Sequence, residues 1–157
     1  MSADLLLLER TILADLEIID GLYEEIGTDP VGADTEQERL IVLAYRLHTL
    51  YNAHENIFRN VAAAFENRLD ERRGWHAQLL RRMTLDVSPV RPALLDDESF
   101  RLLTDLRQFR HVFRAFYGVR LDGRRLALVQ QSALALRPVF RRQIEEFLGF
   151  LRSLRSP

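Results

Sequence analysis

Seven residues, Leu40, Leu43, Leu47, Leu50, His54, Ile57 and Val61, recur at alternating steps of three and four. A strand shows every second residue on one face, so this spacing cannot face one way on a strand. A helix at 3.6 residues per turn stacks all of them in one stripe. The stripe predicts a long helix over 35–69, with Thr35 as its cap and Glu38 completing a capping box. His54 sits on the apolar face, where a histidine is usually a hydrogen-bonded core residue rather than a metal ligand.

Four more helices follow from the same arithmetic. Leu8, Ile12, Leu16, Ile19 and Tyr23 mark a first helix over 5–26, ended by Gly27-Thr28-Asp29-Pro30. Trp75, Leu79, Leu80 and Met83 mark a short one over 74–85. Leu102, Leu106, Phe109, Phe113 and Phe116 mark another, opened by Asp96 or Asp97, running to Tyr117 and closed by Gly118. Asp122 opens the last, over 122–155, with Pro138 inside it and a kink expected there. No segment alternates as a strand does. The expectation is an all-α fold, a four-long-helix bundle plus one short helix, in a single domain over 1–157.

Composition narrows the chemistry. Hydrophobic residues make up 47% and charged ones 29%, a globular balance, and there is no cysteine. Disulfides, thiolate metal sites and cysteine nucleophiles are excluded. No apolar run is long enough to span a membrane. Met1-Ser2-Ala3-Asp4 offers an acid where a secretory signal carries positive charge, so a cytoplasmic protein is expected. There is no Gly-rich phosphate loop, no H-E-x-x-H, no Glu-x-x-His and no G-x-S-x-G. His48, His54, His76 and His111 show no metal-ligand spacing, so neither a metal nor a cofactor is expected.

Charge is segregated along the chain. Residues 1–70 hold 14 acids and 5 arginines, and residues 71–157 hold 9 acids and 17 arginines. Every basic residue is arginine, whose guanidinium binds carboxylate or phosphate through two bonds at once. The basic half suits either a nucleic acid or an acidic surface, including the acidic half of a neighbouring copy. Arg107, Arg110 and Arg114 lie three and four apart on one face of the fourth helix, and Tyr117 joins that face. Stacked guanidiniums repel unless an anion or an acidic side chain lies among them.

That segment carries a resemblance. Leu106-Arg107, Phe109-Arg110-His111, Phe113-Arg114, Tyr117 and Leu121-Asp122 fall in register with a phrase of the HepT-like proteins of the HEPN superfamily. Those proteins are toxins of toxin–antitoxin pairs. Tyr51 with Glu55-Asn56-Ile57-Phe58, Gly74-Trp75-His76 before Leu79-Leu80, Val90-Arg91-Pro92-Ala93 and Ala133-Leu134-Ala135-Leu136 resemble the same branch, so the likeness covers about 35–155. The resemblance implies a HEPN-like bundle and a metal-independent endoribonuclease with an Arg-x4-His-x-Tyr motif. It also implies a homodimer whose two motifs share one cleft. Arg110 would be the phosphate-contacting catalytic arginine, with Arg107, His111 and Arg114 as RNA-binding neighbours. The implied partners are an RNA substrate and a minimal nucleotidyltransferase antitoxin that adenylylates the motif tyrosine, Tyr117.

The motif is broken at its histidine. The position after Arg110 and four intervening residues is Ala115, which has no titratable group. Such a chain is expected to be catalytically impaired. Ala115 is either native to a degenerate member or a replacement that disarms a toxic ribonuclease. A second expectation stays open beside the first: a non-catalytic helical module whose arginine face docks on an acidic partner or a nucleotide.

Overall fold

A computed structural model describes residues 2–66, 72–115 and 120–156. It contains five helices: α1 (Ser2–Ile26), α2 (Gln37–Glu66), α3 (Trp75–Arg82), α4 (Asp97–Ala115) and α5 (Gly123–Arg155). Among the described residues the only strand-like pairing is an isolated antiparallel bridge between Val87 and Arg91. The all-α expectation therefore holds.

The contacts define the directions of the helices. Asp15 meets Asn56 and Glu25 meets Arg46, so α1 and α2 run antiparallel. Glu9 pairs with Arg152, and Asp20 with Arg141, so α5 also runs against α1. His54 and Phe58 touch Phe140 while Phe65 touches Phe147, which makes α2 and α5 parallel. Ser132 donates to Asp105 and Arg142 faces Asp96, placing α4 antiparallel to α5. α2 is the central element and touches the other four helices. Its stripe of Leu40, Leu43, Leu47, Leu50, Ile57 and Val61 is buried as the periodicity demands.

Helix ends follow local chemistry, and one differs from expectation. Thr35 does not cap α2. Its hydroxyl accepts from the Gly32 N–H at 2.8 Å, its own N–H donates to the Gly32 carbonyl, and the helix begins two residues later. A tight turn over 32–35 claims the side chain that a cap would have used. Asp96 is a cap: its carboxylate accepts from the Ser99 N–H at 2.9 Å. Burial works against that charge, but the Ser99 and Gln143 hydrogen bonds and Arg142 hold its pKa below the usual range. Asp122 caps α5 through the Arg124 N–H. Gly74 precedes α3 at φ 84°, so α3 starts at Trp75, and the chain leaves helix after Arg82 rather than 85. α5 continues through Pro138 as one helix. Residues 67–69, Phe116, Tyr117 and Gly118, which the expected ends of α2 and α4 include, lie outside the described residues.

Two charged features organise the polar side. Arg91 is 1% exposed and donates to the carbonyls of Arg82, Leu85 and Pro92 and to Glu66 Oε1 at 2.6 Å. It thereby satisfies a carbonyl at the end of α3 and ties the following loop to α2. The segregation of charge in the sequence is answered inside the chain. Glu9 receives Arg152 and Arg155, each at 2.6 Å, and Arg137 and Arg141 reach Asp20. The Arg152 hydrogen bond outweighs burial and keeps the Glu9 pKa low. Much of the basic surplus of α5 is therefore directed at α1, not at a neighbour.

His54 is the core histidine the sequence suggests. It is fully buried, and Nδ1 donates to the Leu50 carbonyl at 2.8 Å. Burial lowers its pKa from 6.5 to about 4, against the opposing effect of the Leu50 bond. Between those values the unfolded chain binds a proton that the folded chain refuses. Stability is thus complete above pH 6.5 and is lost as pH falls towards 4, by about 3 kcal/mol from this residue. Urea denaturation of the parent and of His54→Phe checks this: the parent should lose more stability across that window than the variant.

Candidate functional site

Arg110 does not lie where a solvated arginine stripe would put it. It continues the buried stripe of Leu103 and Leu106 on α4 and is 6% exposed. Two successive α4 residues therefore diverge, since His111 is exposed. Arg107 is half-buried. Arg114 and Ala115 are helical in α4, but their side chains, like the whole of Tyr117, lie outside what is described.

Opposite Arg110, α2 presents Tyr51, Asn52 and Glu55. Arg110 Nη1 donates to Asn52 Oδ1 at 2.7 Å and to Glu55 Oε1 at 3.1 Å. The guanidinium lies over the Tyr51 ring, 4.8 Å from its centroid. Burial, with help from the Glu55 charge, pushes the Tyr51 hydroxyl far above its ordinary pKa. Asn52 extends the chain of contacts to His48 through a 3.2 Å bond, and His48 packs on Phe113 of α4.

The third wall is α3. His76 stands in its first turn and places Nδ1 2.8 Å from Glu55 Oε2 and 2.9 Å from Arg110 Nη2. One ring nitrogen cannot serve both. With a proton it donates to the carboxylate; with a lone pair it accepts from the guanidinium. A bare nitrogen 2.8 Å from a carboxylate oxygen would set two lone pairs against each other. A protonated nitrogen 2.9 Å from Arg110 Nη2 sets two donors against each other in turn, so distance alone does not choose. The charge-assisted bond to the carboxylate favours Nδ1–H donating to Glu55 Oε2, with Arg110 held by Asn52 and by the other oxygen of Glu55. Trp75 stacks on His76 at 3.8 Å, and Arg59 covers the Trp75 ring at 5.1 Å. Helices α2, α3 and α4 thus meet in one polar cluster.

A model of the HepT-like protein family matches residues 42–151. The chain belongs to the HepT-like family. It is accordingly a HEPN-superfamily protein, and the matched span contains every member of the cluster. No curated protein and no solved structure matches this HepT-like chain. All of α1 lies before the matched span, and the Asp20–Arg141 pair joins it to the matched part of α5.

Of the expected site residues, the described geometry brings Arg110 into the cluster and leaves His111 on the surface. Glu55, Asn52 and the role of His76 were not singled out from sequence. A signal existed: Glu55 lies on the core-facing side of α2 beside Tyr51, and Arg110 follows Leu103 and Leu106 at helical steps. Two opposite charges on facing core stripes can be paired on paper. Among the described residues no group of three or more His, Asp or Glu is arranged to hold a metal ion, and no helix is long and apolar enough to cross a membrane.

Removing one partner of a buried pair strands the other, at about 3–5 kcal/mol. Glu55→Ala and Arg110→Ala should each destabilise by about that much, whereas Glu55→Met with Arg110→Met should lose much less than the two single losses together. Urea denaturation of the parent and these variants measures this; simple additivity would show that the two charges are not coupled.

Proposed function

We propose that this HepT-like chain is the toxin of a toxin–antitoxin pair, an RNA-binding, metal-independent endoribonuclease impaired by Ala115. The observation that supports the reading most is the placement of Arg110. The motif arginine of α4 is fixed by Asn52 and Glu55 of α2, with His76 of α3 bonded to the same carboxylate, immediately before the segment that holds Ala115 and Tyr117. A site held from several elements keeps its geometry while RNA binds.

In this reading Arg110 supplies the positive charge next to the scissile phosphate, and Arg107, His111 and Arg114 flank it along the RNA. A second copy completes the cleft. Between α4 and α5 runs an open groove of about 660 Å³ lined by Leu102, Phe109, Leu128 and Val129 together with Arg101 and Asp105. Leu128 is well exposed there, and Phe109 adjoins Arg110, so a copy seated in this groove would lie beside the motif. Tyr117 is the acceptor for adenylate from a minimal nucleotidyltransferase antitoxin. The added phosphate and base would fill the cleft and exclude RNA.

The test separates binding from cutting. The chain should bind single-stranded RNA weakly, with affinity falling steeply as salt rises. Ala115→His should raise the cleavage rate by about 10²–10⁴-fold with little change in affinity. Fluorescence anisotropy and gel-resolved cleavage of one labelled RNA report both quantities. Equal cleavage by the parent and Ala115→His would remove position 115 from the mechanism.

A further inference from the structure

The cluster contains a feature that the Arg-x4-His motif does not use. Glu55 and Arg110 are 7% exposed at their side chains, but the His76 side chain is 31% exposed. His76 is therefore the member of the Arg110–Glu55–His76 trio that reaches solvent. Its Nδ1 is committed to Glu55, and its Nε2 has no hydrogen-bond partner among the described residues. A neutral imidazole with Nδ1 protonated carries its lone pair on Nε2. The side of the ring that can meet a substrate is thus a base, oriented from behind by a carboxylate.

We propose that His76 is the catalytic base of this chain, with Glu55 as its positioning residue and Arg110 as the charge that holds Glu55 in place. The proposal rests on the ribonuclease reading above and supplies the proton acceptor that Ala115 lacks. Nε2 takes the proton of an RNA 2′-hydroxyl as that oxygen attacks the adjacent phosphorus. The new bond is 2′-O–P and the broken bond is P–O5′. The departing O5′ takes a proton from water, giving a 2′,3′-cyclic phosphate and a 5′-hydroxyl. Glu55 stabilises the imidazolium until it returns its proton to solvent. This is the base-and-orienter arrangement expected of an activated imidazole.

The other exposed histidine of this region is less suited. His111 sits on the outer face of α4, and among the described residues nothing orients its ring. His76 is held on three sides: by Glu55, by the stacked Trp75, and by α3, whose Leu79 and Leu80 are buried in the core.

The experiment uses the full chain with Ala115 retained, and a labelled single-stranded RNA. The parent should cleave slowly to a 2′,3′-cyclic phosphate end. His76→Gln keeps an N–H for Glu55 but cannot accept a proton, and should cut at least about 10²-fold more slowly. Its RNA affinity and melting temperature should stay close to the parent's. His76→Gly should regain cleavage when free imidazole is added, which a purely structural histidine would not allow. Cleavage by His76→Gln at the parent's rate overturns the proposal, as does failure of imidazole to rescue His76→Gly. If the parent is silent while Ala115→His cuts, the ribonuclease reading stands and His76 is not the base. If neither cuts, the ribonuclease reading falls and takes the proposal with it.

Discussion

A guanidinium and a carboxylate withdrawn from water are stable only together, and the Arg110–Glu55 pair imposes that condition on three helices. The carboxylate belongs to α2, the guanidinium to α4, and the imidazole bonded to the other carboxylate oxygen belongs to α3. None of the three can shift by much without leaving a charge in a poorly solvating place. An apolar contact would tolerate sliding; this one fixes register. Asn52 adds to it by taking the second proton of Arg110 Nη1, so the orientation of the guanidinium is set as well as its position. What the cluster leaves open to water is the outer edge of His76.

The remaining charges have a different role. Along α1 and α5, Glu9 with Arg152 and Arg155, and Asp20 with Arg137 and Arg141, lie near the surface of an antiparallel pair. The Asp20 pairs are exposed and contribute little individually, whereas Glu9 is buried beneath its two arginines. Their effect is to direct the acidic first helix onto the basic last one. The electrostatic case for pairing two copies through opposite halves loses that material. The proposal of a second copy rests instead on the groove between α4 and α5.

Helix periodicity made most of the fold legible from sequence. The stripe of α2 and the caps at Asp96 and Asp122 are local patterns, and local patterns survive folding. Thr35 misled because two local motifs competed for one hydroxyl, and the turn at Gly32 took it. The site was less legible for a related reason. Arg107, Arg110 and Arg114 share a face by spacing alone, but a face has a direction only once its neighbours are known. Glu55 turns Arg110 inward, and that partner lies 55 residues away in the chain. His76 likewise has no sequence neighbour that marks it; its meaning comes from α3 closing over α2.

The central claim concerns one proton: Nδ1 of His76 holds it and donates it in a hydrogen bond to Glu55, leaving Nε2 bare. A long-range proton–nitrogen correlation spectrum of the neutral histidine rings measures this directly. The account predicts a protonated Nδ1 and an unprotonated Nε2 for His76. A protonated Nε2 with a bare Nδ1 would contradict it, because Arg110 would then be the donor to the ring and Glu55 would not orient it.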